Sequence, residues 1–79
     1  MNVMEVNEEA VLERLRVEDP EFRRWEEEHN ELEHKLRSID SHPYLTSEEE
    51  IERKRIQKLK LLAKDRMVEL IRRYKSGNA

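Results

Sequence analysis

Apolar positions in the middle of the chain alternate at spacings of three and four, running through Phe22, Trp25, His29, Leu32, Leu36 and Ile39. This is the a/d seam of a heptad repeat, and it predicts a helix over residues 20–40. Asp19 suits the N-cap and Pro20 the first helical position, where a missing N–H is no loss. Pro43 disfavours helical dihedrals at the residue before it, so residues 41–46 are predicted to form a turn.

A second apolar pattern follows the turn and runs through Ile56, Leu59, Ala63, Met67, Leu70 and Tyr74. Its spacings are closer to the period of about 3.6 residues of an ordinary helix than to a strict heptad. The pattern predicts a long, weakly supercoiled helix over residues 47–75. This helix can begin at Thr46 or Ser47, because either forms a capping box with the glutamate three residues later. Gly77 and Asn78 are predicted to be its C-cap and tail.

The amino-terminal stretch carries a shorter apolar pattern, with Val11, Leu12 and Leu15 on one face and Asn7 as a possible N-cap. It predicts a short helix over residues 8–17. Two arrangements remain open. The helix packs near Val68, Leu70 and Ile71, or it stays frayed and those apolar residues meet a second subunit.

Composition favours helices over sheets. The chain has 79 residues with one Gly and two Pro, and 44% of its residues are charged. Such charge is also found in disordered chains, but the periodic apolar seams argue against disorder. The predicted fold is therefore all-α: residues 1–79 form a single small domain, an antiparallel two-helix coiled-coil-like hairpin with a short N-terminal helix.

The charges are sorted along the chain. Residues 1–50 contain 6 Lys/Arg and 16 Asp/Glu, whereas residues 51–79 contain 10 and 3. With a reversal centred near residue 43, Glu33 is predicted to face Arg53 and Glu26 to face Lys60. Exposed ion pairs contribute only about 0.2–1 kcal/mol each, so they are expected to select the topology more than to stabilise it.

Catalytic chemistry is not indicated by any motif. The chain has no cysteine and one glycine, which excludes disulfides, thiolate zinc sites and a glycine-rich phosphate loop. Glu26 and His29 form one E-x-x-H, but a di-iron site needs a second copy and further carboxylates, so His29 is interpreted as a helix-interface residue. We expect no enzyme activity, no metal or other cofactor and no small-molecule substrate.

The sequence also lacks the patterns that are typical of a signal peptide and of a membrane-spanning segment. The amino-terminal residues show neither the basic region nor the apolar core of a signal peptide, and the longest apolar run is Leu61-Leu62-Ala63. We therefore expect a cytoplasmic protein that does not insert into membranes.

Two surfaces of the second long helix are candidates for binding. Its apolar stripe is wider than a two-helix seam requires, which predicts either a protein interface or packing under the N-terminal helix, through Leu61, Leu62, Val68 and Ile71. The partner would be an unknown protein or a second copy of the chain. The alternative is a nucleic-acid or ribosome-associated surface, with phosphate contacts from Lys54, Lys58, Arg72, Arg73 and Lys75.

Several short motifs match a known family. Pro20-Glu21-Phe22, Glu28-His29 with Leu32, Lys58-Leu59-Lys60-Leu61 and Lys64-Asp65 give the chain a pattern that resembles the YdcH-like family of small bacterial proteins of unknown function. The resemblance extends over residues 11–74. It implies a helical hairpin and a bacterial origin. It implies no activity, cofactor or catalytic residue.

Overall fold

The computed structural model describes residues 3–77, with side chains from Glu8 onward. It contains three α-helices, α1 (Val3–Glu18), α2 (Pro20–Asp40) and α3 (Ser47–Gly77), and no strand occurs within that range. The predicted all-α class is therefore confirmed. The molecule measures 47 × 28 × 17 Å, and the length of α3 sets the longest dimension, since 31 residues at about 1.5 Å each span a similar distance.

Helix α1 is longer than the sequence predicts. It begins at Val3 instead of residue 8, so the predicted N-cap position, residue 7, lies within the helix and not at its start. The prediction assumed that the helix starts at the first capping residue. The stretch before Asn7 contains no Gly or Pro to interrupt a helix, so the backbone continues through it.

The corner between α1 and α2 is capped from both sides. Asp19 has extended dihedrals (φ −116°, ψ 102°), and its carboxylate accepts hydrogen bonds from the backbone N–H groups of Glu21 (3.0 Å) and Phe22 (3.3 Å). The Arg23 guanidinium donates to the carbonyl oxygens of Arg16 (2.7 Å) and Val17 (3.2 Å) in the last turn of α1. Backbone N–H groups at the start of α2 and carbonyl groups at the end of α1 thus have hydrogen-bond partners. The predicted N-cap of α2 is confirmed.

The start of α3 is also fixed by a cap. The backbone N–H of Glu49 donates to the Thr46 hydroxyl (3.1 Å), and the backbone N–H of Thr46 donates to the Glu49 carboxylate (3.0 Å). This is the capping box, with Thr46 and not Ser47 as the capping residue. At the other end Gly77 has φ 89°, a left-handed conformation that favours glycine. Asn78, also predicted to lie in this cap, is outside the described residues.

Two groups of buried side chains form the core. In the first, one residue from each helix meets: Leu15 of α1, Phe22 of α2 and Leu70 of α3. Val11, Leu12, Trp25, Met67, Ile71 and Tyr74 pack around them. In the second, Leu32 and Leu36 of α2 pack with Ile56 of α3. Helix α1 therefore packs on the other two helices, which decides between the two arrangements left open by its sequence.

The predicted pairing of charges between α2 and α3 is wrong by one heptad. Arg53 pairs with Asp40 (2.6 Å) instead of Glu33, and Lys60 pairs with Glu33 (3.8 Å) instead of Glu26. Glu26 pairs with Arg16 of α1 (2.7 Å). Acidic residues recur at positions 26, 33 and 40, so either register satisfies the charges. Apolar packing, with Leu36 and Leu32 against Ile56, selects the observed one.

Candidate interaction surface

The outward face of α3 carries exposed apolar side chains. Leu61 is 61% exposed, Leu62 46% and Val68 40%, and Ile51 is also exposed. The same helix buries Ile56, Ala63 and Leu70, which recur every seven residues on its inner side. The opposite side of the helix, from Ile51 to Arg72, is called the outer face of α3. Its exposed residues include Ile51, Lys54, Lys58, Leu61, Leu62, Asp65, Val68 and Arg72.

The structure divides the four predicted interface residues. Leu61, Leu62 and Val68 are on the surface, whereas Ile71 is half-buried and packs against the group formed by Leu15, Phe22 and Leu70. Packing under the N-terminal helix is therefore observed for Ile71, whereas the side chains of the other three residues remain exposed. Ile51 and Leu59 are exposed as well; the prediction that Leu59 lies on the inner seam of α3 is wrong, and Ile51 was not assigned to any surface. Their helical spacing from Leu62 was the available signal.

The five predicted phosphate-contacting residues are also divided. Arg73 pairs with Glu69 (3.7 Å) and Lys75 with Glu8 (2.7 Å). Among the described side chains no carboxylate pairs with Lys54, Lys58 or Arg72, and all three are exposed. The basic cluster at the end of α3 is therefore partly neutralised, whereas Lys54 and Lys58 near the start of α3 and Arg72 near its end have no ion-pair partner among the described side chains.

Ion pairs on the other faces have structural roles. Arg53 hydrogen-bonds to Asp40, and this contact lowers the pKa of the Asp40 carboxyl. Arg16 donates through Nε and Nη2 to both Glu26 oxygens at 2.7–3.0 Å, which raises the pKa of its guanidinium. The pairing of Arg16 with Glu26 was not predicted, because it depends on the angle between α1 and α2 and no spacing rule encodes that angle.

The two residues of the E-x-x-H motif, Glu26 and His29, have different surroundings in the structure. Glu26 is held by Arg16, and His29 is half-buried on α2. Across the side chains of residues 8–77, no group of three or more His, Cys, Asp or Glu is positioned to hold a metal ion. A groove beside the corner is lined partly by Leu15, Asp19 and Leu70, but the Asp19 carboxylate is already used to cap α2.

None of the helices described for residues 3–77 combines the length and the apolar character needed to cross a bilayer. The most distinctive surface of the described residues is the outer face of α3. It carries the exposed side chains of Leu61 and Leu62 together with Lys54 and Lys58, which have no ion-pair partner among the described side chains.

Comparison with known proteins gives one match. The model of a family described as "Protein of unknown function (DUF465)" matches residues 22–71, most of α2 and α3. This match agrees with the YdcH-like resemblance of the sequence motifs. Searches of the curated proteins and of the solved structures find no significant match.

Proposed function

The chain belongs to the DUF465 family of proteins of unknown function, and we propose that it is a small protein-binding or self-association module without catalytic activity. The observation that carries this proposal is the exposure of Leu61 and Leu62 on a helix whose inner side is already filled by its own core. Contiguous exposed apolar groups on a small protein commonly mark a binding surface.

The proposed architecture is an antiparallel coiled-coil-like hairpin of α2 and α3, with α1 packed near its open end. Support comes from contacts at three levels. Asp40 pairs with Arg53 nearest the turn, Glu33 with Lys60 further along, and Phe22 packs with Leu70 at the far end. Such a hairpin presents the outer face of α3 as one long rigid surface.

Apolar burial is the source of affinity in this proposal. Covering apolar surface yields roughly 25 cal/mol per Å², whereas an exposed ion pair yields less than about 1 kcal/mol. Leu61 and Leu62 would therefore act as the central contacts, and Lys54 and Lys58 would orient the partner. A location in the bacterial cytoplasm, suggested by the family resemblance and by the absence of cysteine, belongs to the same proposal.

The alternative function is binding of nucleic acid through the basic side of α3. It is favoured by one observation, that Lys54 and Lys58 are exposed and have no described ion-pair partner. It is weakened by the ion pairs at Arg73 and Lys75, which reduce the positive charge available to phosphates.

The test is partner capture from lysate with and without nuclease, comparing wild type with the double variant Leu61→Gln, Leu62→Gln. We expect the variant to keep its circular dichroism spectrum and to lose the proteins that wild type retains. Val17→Asn, which changes an exposed apolar residue of α1, is the control and should retain them. Retention by the leucine variant contradicts the proposal, and loss of all wild-type partners on nuclease treatment supports the nucleic-acid alternative.

A further inference from the structure

The charges on the outer face of α3 are arranged symmetrically about the exposed leucines. Lys58 lies three residues before Leu61, and Asp65 lies three residues after Leu62. Seven residues, close to two helical turns, separate Lys58 from Asp65, so the two side chains leave the helix on the same side. Each lies roughly 5 Å along the helix from the midpoint between the leucines.

A second, outer pair has the same symmetry. Lys54 lies four residues before Lys58, and Glu69 four residues after Asp65. Reversing the direction of the helix about the Leu61–Leu62 midpoint therefore exchanges lysine positions with carboxylate positions. A surface of this kind is complementary to a copy of itself turned by a two-fold rotation.

The two inner charges are available for such a contact. Both Lys58 and Asp65 are exposed, and neither forms an ion pair with the side chains described for residues 8–77. Glu69 is engaged by Arg66 (3.5 Å) and Arg73 (3.7 Å) of its own helix, so the outer pair would compete with existing contacts. The inner pair thus determines the register.

The remaining helices do not obstruct this face. Ile56, Ala63 and Leu70 face α1 and α2, and they lie on the side of α3 opposite Lys58 and Asp65. A second α3 can therefore approach without displacing any part of the described core.

We propose that two copies of the chain associate through α3 in antiparallel orientation, with the two-fold axis beside the Leu61–Leu62 peptide bond. The leucines of both copies meet at the axis, and Lys58 of each copy pairs with Asp65 of the other. This inference rests on the proposed function and names its partner as a second copy. A single pair of helices buries less surface than a standard stable interface, so the dimer is weak and salt-sensitive.

The test exchanges charges within the proposed pair and measures dissociation by sedimentation equilibrium at low salt. Lys58→Asp makes both inner positions acidic, and Asp65→Lys makes both basic. Each variant alone is expected to dimerise about tenfold more weakly than wild type, because two attractive pairs become repulsive. An equimolar mixture should recover dimer close to the wild-type level, since acidic positions then face basic ones.

Lys35→Asp on α2 is the matched control, because it makes the same charge change at an exposed lysine outside the proposed interface. It should leave dimerisation unchanged. The inference is overturned if wild type is monomeric throughout the concentration range, if the mixture dimerises no better than either variant, or if the control weakens the dimer equally. A third outcome separates the two proposals. If wild type is monomeric but the variant Leu61→Gln, Leu62→Gln loses the protein partners that wild type retains, the dimer is overturned and the proposed function stands.

Discussion

Phe22 shows how much of the fold depends on a single residue. Its side chain is fully buried, where it meets Leu15 of α1 and Leu70 of α3, and its backbone N–H is held by the Asp19 cap. One residue thus joins all three helices. The heptad pattern of α2 predicted a core role for Phe22. Its contact with α1 could not be predicted, because that contact depends on the angle between α1 and α2 at the Asp19 corner.

We expect Phe22→Leu to lower the free energy of unfolding by about 1–2 kcal/mol, because the smaller side chain leaves part of the site empty. Urea denaturation followed by circular dichroism measures the change. Tyr44→Leu is the control, since it makes a comparable replacement at an aromatic residue that is 89% exposed. It should change stability by less than about 0.5 kcal/mol, and equal effects would contradict the assigned core.

The Asp40–Arg53 pair predicts a dependence of stability on pH. Arg53 lowers the pKa of Asp40 in the folded protein, so the pair stabilises the fold above the ordinary pKa of an aspartate and is lost as pH falls through the lowered value. We expect the melting temperature to decrease below about pH 4, and Asp40→Asn to reduce this decrease. Glu31→Gln, at an exposed carboxylate of the same helix, is the control. An unchanged acid profile in Asp40→Asn would refute the assignment.

At the level of helices, the sequence predicts bounds best where backbone chemistry is local. Asp19 and Pro20 set the start of α2, and its observed range, Pro20–Asp40, is the range predicted from the heptads. The start of α3 was narrowed to Thr46 or Ser47, because both residues have a glutamate three positions later. The hydrogen bonds at Thr46 decide between them.

The charge pattern alone could not determine the register between α2 and α3. Acids at positions 26, 33 and 40 face bases at 53 and 60, and a shift of one heptad keeps opposite charges together. The observed register is the one in which Ile56 packs with Leu32 and Leu36. Such packing depends on three-dimensional contacts that the charges along one chain do not specify.

Thr46→Ala is expected to reduce stability by about 1 kcal/mol, because it removes the hydroxyl that accepts from the Glu49 N–H. Ser47→Ala, one residue later, is the matched control, and its effect should stay within about 0.5 kcal/mol. Chemical denaturation of the two variants beside wild type compares them directly. If Ser47→Ala is the more damaging substitution, the cap has been assigned to the wrong residue.

For the whole molecule, the question is whether α1 unfolds together with α2 and α3. Leu15 is buried between them, and the ion pairs of Arg16 with Glu26 and of Glu8 with Lys75 connect α1 to each of the other helices. From these contacts we expect the three helices to unfold as a single cooperative unit, which the short apolar pattern of the amino-terminal stretch left undecided.

Leu15→Ala should therefore lower the global free energy of unfolding by about 2–5 kcal/mol, although the residue lies outside the two long helices. Val17→Ala, at a residue of α1 that is 77% exposed, should have little effect. Hydrogen exchange in α3 provides the measurement, because it reports global opening. Unchanged protection of α3 in Leu15→Ala would mean that α1 unfolds independently.

The doubly capped corner has a consequence for the order of folding. Its bonds join residues close in the chain, from Asp19 to Phe22 and from Arg23 back to Arg16, whereas Lys75 must find Glu8 across nearly the whole sequence. Closing a short loop loses less chain entropy than closing a long one. We therefore expect the corner to form early and to hold Leu15 beside Phe22, so that α3 docks last, on a surface that α1 and α2 have already assembled.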